Sequence, residues 1–223
     1  MSDNLGKVLK LIQKKSGGCL LDCGCGNGEL TVKAGDMASC TDLYGVDLDA
    51  KSLQEAKARG IETHLSDINM PLPFRSNFFD IVLAHQVVEH LYDIDNFTRE
   101  VRRVLKSDGY AIVSTENLSS WHNIFALILG YQDFSHHCSQ FYIGNPLSPH
   151  RMERLRKPTE QHIKIFAFQS MKEIFEINGF EVERITGAGY YPLPSRLSSV
   201  ISSLDPRHAH FITLRAKKRE RIQ

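Results

Sequence analysis

The stretch richest in chemical possibility is Asp22-Cys23-Gly24-Cys25-Gly26-Asn27-Gly28, directly after the short apolar run from Cys19 and directly before a helical pattern. Glycines at such a junction let the backbone turn sharply and approach a ligand closely. The next apolar run, Leu43 to Asp47, ends in a carboxylate able to accept hydrogen bonds from ribose hydroxyls. A third, Ile61 to Leu65, leads to Asp67, placed to accept from an exocyclic amine, with Ile68 beside it to pack on an aromatic ring. All three carboxylates or loops fall where a strand would end, and open α/β sheets bind ligands at those ends. Counting G-x-G-x-x-G from Gly24 puts Glu29 at the third glycine. A second negative charge beside a pyrophosphate at a helix N-terminus is unfavourable, which argues against a nicotinamide dinucleotide.

These residues need a scaffold, and the sequence supplies one. Short apolar runs alternate with helical patterns: strands at 19–23, 43–47, 61–65, 79–84 and 110–115, and helices from about Glu29, over Ala50–Arg59, and through Phe97, Val101, Val104 and Leu105. Gly60 and Asp108-Gly109 read as stops. Ser170 to Asn178 continues as a helix, Phe180 to Ile185 as a strand and His210 to Arg215 as a last strand. Such alternation is the signature of an α/β doubly wound sheet. Residues from Asn117 to about Ile165 break the rhythm with His, Ser, Pro and aromatics, and sheet-forming elements flank them on both sides. They read as an insertion on the sheet. The expected organisation is one domain over 1–223, with a core of about 19–115 and a substrate cap of about 117–165.

With these motifs in place, the sequence resembles the class I S-adenosylmethionine-dependent methyltransferases, on the side of the quinone O-methyltransferases. The likeness runs from Cys19 to about Thr115, more weakly from His162 to Gly189. It rests on Leu20–Gly28, Gly45-Val46-Asp47-Leu48, Ser66-Asp67-Ile68, Phe78–Val82, Val88-Glu89-His90-Leu91 and Val104–Tyr110, in order. The resemblance implies a Rossmann-like seven-stranded, mostly parallel sheet with an antiparallel last strand and helices on both faces. It implies S-adenosylmethionine as cofactor, its methionine part framed by Gly24, Gly26 and Gly28 with Asp22 near the amino group. Asp47 and Leu48 would sit at the ribose, Asp67 and Ile68 at the adenine, and His85 near the methyl group.

Methyl transfer from a sulfonium is an in-line displacement in which positive charge disappears, so alignment and exclusion of water are the main tasks. A hydroxyl acceptor also needs a base. His85 and His90 are the candidate catalytic residues; a packed histidine is the alternative for His90. Gln86, Glu89 and His90 match positions where the quinone enzymes carry Glu, Glu and His as a proposed magnesium set. Gln86 replaces the first carboxylate with a neutral amide, so no metal is expected. Nor is one expected at Cys19, Cys23 and Cys25, which lack a paired C-x-x-C, or at His136, His137 and Cys138.

The cap would supply apolar surface through Trp121, Phe125, Tyr131, Phe134, Phe141 and Tyr142. Polar handles would come from His122, His136, His137, His150 and Arg151. Its layout is similar to methyltransferases of polysaccharide or lipid-linked glycan synthesis. The expected activity is methyl transfer to a hydroxyl or amine of a small molecule, with such a precursor as one expected acceptor. The alternative is a non-catalytic protein that keeps the cofactor site and serves a partner.

Composition narrows the partners. The 223 residues carry 27 Lys and Arg against 26 Asp and Glu, a net charge of +1, which gives no broad field for nucleic acid. Ala84-His85-Gln86-Val87 lacks the Asn/Asp-Pro-Pro-aromatic element of base-amino methyltransferases. The tail Lys217, Lys218, Arg219 and Arg221 reads as a solvated terminus. The charged N-terminal stretch is no secretory h-region, and Ile124–Leu129 is too short to span a bilayer. The expectation is a cytoplasmic monomer or homodimer with reduced thiols and no integral membrane segment.

Overall fold

The structure, a computed structural model, describes residues 3–139, 144–148 and 161–219. Its elements are α1 (Asp3–Lys10), β1 (Cys19–Cys23), α2 (Glu29–Ala38), β2 (Asp42–Asp47), α3 (Ala50–Ala58), β3 (Glu62–Leu65) and β4 (Phe79–His85). They continue with α4 (Ile94–Val104), β5 (Leu105–Glu116), α5 (Trp121–Ile128), α6 (Phe168–Ile177), β6 (Phe180–Ala188), α7 (Ser195–Leu204) and β7 (Phe211–Lys218).

One seven-stranded sheet runs β3-β2-β1-β4-β5-β7-β6. The first five strands pair in parallel, and β7 runs antiparallel to both β5 and β6. The chain leaves β1 toward β2 on one side and returns to β4 on the other. This is the topological switch point, where the crossovers diverge and a crevice opens beyond the strand ends.

The central strands are buried on both faces, and their residues alternate between two apolar layers. Leu20, Ile81, Leu83 and Ile112 join Val8 of α1, Leu11 just after it, and Ala34 and Ala38 of α2. Leu21, Val82, Ala84 and Val113 join Phe97 and Val101 of α4 and Met171 and Phe175 of α6. Phe97 and Phe175 are fully enclosed, a contribution of about 1.5–3 kcal/mol for each such side chain. Two acids fix helix starts: Asp49 accepts from Ser52 N at 3.4 Å for α3, and Asp93 from Asn96 N at 2.8 Å for α4.

Three elements differ from the sequence reading. The helix of Phe97 ends at Val104, and β5 already begins at Leu105, running through Asp108-Gly109. Lys106 pairs with Asp80 at 2.7 Å and Lys15 with Asp108 at 2.6 Å, so residues with a turn's composition are held extended. Within the segment expected to be irregular lies α5. Helix α7 was not foreseen at all.

Candidate active site

The turn from β1 to α2 sets the centre of the site. Gly24, Gly26 and Gly28 all have positive φ, at 76°, 52° and 81°. At Gly24 a Cβ would stand 2.4 Å from Val87 Cγ2, so only glycine lets this loop pass the turn after β4. At Gly26 a Cβ would meet no atom within 4 Å and would project into open space beside the loop. Asp47 holds the loop from the next strand: its carboxylate accepts from Gly26 N at 2.8 Å and from Asp49 N at 2.9 Å.

Two cavities meet at Gly24. One, about 290 Å³, is lined by Asp22, Gly26, Asn27, Glu29 and His85 among others. The other, about 310 Å³, is lined by Asp47, Leu48, Asp67, Ile68, Gln86 and His90, with Gln161 and Ile163 opposite. Every residue expected around the cofactor except Gly28 therefore lines one of these cavities, with His85 and His90 on different sides. Gly28 lies behind the lining, where a Cβ would stand 2.3 Å from Ile61 Cδ1.

Asp22 carries the most informative electrostatics. Its Oδ2 accepts from Thr31 Oγ1 at 2.7 Å, while Oδ1 is buried without a partner. Burial pushes its pKa up to about 7, with Asp47 adding to the effect. An unmatched buried carboxylate oxygen at the edge of a cavity is a place for a cationic donor. His85 likewise has a buried Nδ1 with no partner, and burial lowers its pKa, so it is neutral at pH 7. Cys25, in the same loop, is a packing thiol that burial and the nearby carboxylates of Asp22 and Asp47 push up to about 12.

On the adenine-like side, Asp67 Oδ1 accepts from the backbone N and side-chain Nδ2 of Asn69, both at 2.9 Å. Ile68 is buried beside it and Leu48 is half exposed at the cavity rim. Glutamate 29 lies in the first turn of α2, within 3.5 Å of Arg59, where a phosphate would meet its charge.

The second cavity is closed by residues 161–164, at the end of the expected cap. Ile163 N and Lys164 N donate to the Glu89 carbonyl at 2.9 and 3.1 Å, and His90 Nδ1 lies 3.1 Å from the Gln161 carbonyl. His162 is turned toward Glu116 at the end of β5, 3.2 Å away. Burial alone would raise Glu116, but His162 outweighs it and brings the carboxyl down to about 2. Glu89, buried behind with Oε2 on Thr115 Oγ1 at 2.9 Å and Oε1 unpartnered, is pushed up to about 7 by burial. Among the described residues, Glu89, His90 and His162 are the set whose ligand atoms could hold a cation, lying within 4.8 Å of one another. Gln86, at the position of the first expected acid, offers only a neutral amide, and His162 already faces Glu116.

In the cap, Asn117 donates to the carbonyls of Arg207 and Ala209 at 2.8 and 2.7 Å, pinning the approach to α5 to the turn before β7. His122 is a packed ring against Phe134, Tyr191 and His210, and burial with nearby His210 takes it down to about 3. Trp121, Phe125 and Tyr131 are exposed. Phe141, Tyr142, His150, Arg151 and Arg221 lie outside the described residues.

Residues 21–113 match a family described as a methyltransferase domain. Over those residues the chain resembles a class I S-adenosylmethionine-dependent methyltransferase domain. The mitochondrial ubiquinone biosynthesis O-methyltransferase of Bos taurus is 28% identical to this chain over 184 residues, 79% of this chain and 45% of that protein. Its counterpart in Pelagibacter ubique is 29% identical over 147 residues, covering 63% and 56%. The chain thus spans about half the length of these relatives. A solved S-adenosylmethionine-dependent methyltransferase from Listeria monocytogenes shares the fold, with a TM-score of 0.67 at 16% identity over 98% of this chain and 99% of that one. The cofactor of such a domain is S-adenosylmethionine, and the unpartnered Asp22 oxygen, a match for an ammonium group, fits it.

Proposed function

We propose that this chain is an enzyme that transfers the methyl group of S-adenosylmethionine to a hydroxyl or amine of a small molecule. The observation that carries the reading is the pair of cavities joined at Gly24, one ending on the unpartnered Asp22 carboxylate oxygen and the other on Asp47 and Asp67. This is the donor and acceptor layout an amino acid joined to an adenosine requires. Asp22 would take the ammonium, the backbone around Gly24 and Gly26 the carboxylate end, Asp47 the ribose, and Asp67 with Ile68 the adenine. When bound, the cofactor supplies an electrophilic methyl on a sulfonium. The protein's part is to align an acceptor behind that methyl, exclude water and, for a hydroxyl, accept its proton. His85 is neutral and next to the methionine-side cavity, which suits it to that task; His90 stands across Gly24 on the other side.

The ubiquinone O-methyltransferase relatives favour an oxygen acceptor on a small molecule. A glycan or lipid-linked precursor is the finer proposal. In this reading residues 1–223 act as one domain, with about 117–165 as the cap over the acceptor.

Titration calorimetry with S-adenosylmethionine, S-adenosylhomocysteine and NAD tests the assignment. We expect micromolar binding of the first two, at least tenfold weaker in Asp47→Ala, and none of NAD. Selective binding of NAD, or of no ligand by well-folded protein, would sink it. Product formation across phenol, sugar and amine acceptors then separates an enzyme from a non-catalytic cofactor-binding protein.

A further inference from the structure

Helices α5 and α7 are amphipathic in the wrong sense for a globular protein. In α5 the buried residues are His122, Asn123 and Ala126, whereas Trp121, Phe125 and Ile128 are exposed, the last at 73%. In α7 the buried residues are Ser198 and Ser202, whereas Leu197, Val200 and Leu204 are exposed, the last at 82%. The spacings i, i+4, i+7 and i, i+3, i+7 put each apolar set on one stripe, and each stripe faces outward. At the start of α5 the Trp121 ring stacks on His208, in the turn that follows α7, at a centroid distance of 4.4 Å. Exposed apolar stripes of this kind mark an interaction site.

Charge selects the partner. No Asp or Glu occurs from Leu118 to Tyr131 or from Gly189 to Leu204. The nearest acid, Asp205, is occupied by the Tyr190 hydroxyl at 2.8 Å and by His208 at 2.8 Å. The cations at the rim are Arg196 and Arg207, both exposed, and Lys7, whose Nζ donates to Ser203 Oγ at 3.1 Å. An apolar face carrying Trp and Phe, rimmed by cations and free of unmatched acids, is the composition of an interfacial membrane contact. No helix among the described residues is long and apolar enough to cross a membrane, so the contact is one of lying on the surface. We infer that α5 and α7 form a docking surface for an anionic lipid bilayer. Helix α5 begins just after the C-terminal end of β5, so docking holds the cofactor edge of the sheet next to the lipid.

The chain has one tryptophan, Trp121, and it lies on the proposed surface, which makes its fluorescence a direct reporter. The full chain is titrated with vesicles of phosphatidylcholine alone and of phosphatidylcholine with phosphatidylglycerol, including brominated chains. We expect a blue shift and bromine quenching, with at least tenfold tighter partition into the anionic vesicles. Val200→Glu and Ile128→Glu, at exposed positions, should weaken partition tenfold or more while leaving S-adenosylhomocysteine binding unchanged. Arg196→Glu with Arg207→Glu should remove the preference for anionic lipid. No spectral response, or an equal response in Val200→Glu, overturns the inference. So does a concentration-dependent dimer abolished by Val200→Glu without any vesicle response, which would assign the face to a second copy of the chain.

Discussion

Asp22 is the residue whose environment makes the sharpest demand. Its carboxyl is buried, half paired, and held near a pKa of about 7, so it is only partly ionised at neutral pH. An ammonium placed on Oδ1 favours the charged form, and binding must then couple to loss of a proton. Cofactor affinity should therefore rise as pH increases through about 7 and level off above it. In Asp22→Asn the amide has no proton to lose, so affinity should drop at least tenfold at pH 8 and the rise should flatten. Calorimetry in buffers of different ionisation enthalpy measures both. A wild-type affinity independent of pH from 6 to 8 would count against Asp22 as the ammonium partner. Residues on this side of the site were readable because each sits within a few positions of a strand end. Glu116 and His162 were not, since their only signal is a contact between two remote parts of the chain.

That contact belongs to the scale of elements, because it ties the end of β5 to the segment that closes the second cavity. Glu116 is held down to about 2 while His162 is raised by the same partner, against the burial that opposes both. A depressed carboxylate stabilises the fold above its unfolded value of 4.5, and a raised imidazole stabilises it below its unfolded value of 6.5. The pair therefore acts most strongly between those values, loses the imidazole part as pH rises through the folded histidine pKa, and loses the carboxylate part as pH falls through about 2. His162→Ala strands a buried carboxylate, which costs about 3–5 kcal/mol. Urea denaturation should show the largest difference from wild type near pH 5.5, shrinking by pH 8. A constant difference across that range would mean that packing, not charge, is lost. The strands and helices of the core were legible from periodicity because their apolar residues point inward. Helices α5 and α7 escaped the same reading because theirs point outward, and β5 because Lys106–Gly109 has the composition of a turn.

At the scale of the whole molecule, the sheet joins everything. Strand β7 lies between β5 and β6, so the last element of the chain is paired with the strand that leads into the cap. The hydroxyls of Thr213, Ser114 and the amide of Asn4 form a buried chain of contacts of 3.1 Å each, linking β7, β5 and α1. Among the described residues these contacts tie both ends of the chain into one sheet, and under the proposed single domain denaturation should be a single cooperative step. A ligand bound at the switch point should then stabilise all of it. At one hundred times its dissociation constant, S-adenosylhomocysteine adds about 2.7 kcal/mol. For a chain of 223 residues, each kcal/mol raises Tm by roughly 2–4 °C, so the expected rise is about 5–10 °C with the transition still single. Scanning calorimetry with and without ligand checks this. Two resolved transitions, only one of them moved by the ligand, would show that the cap and core fold separately and that the single-domain reading is wrong.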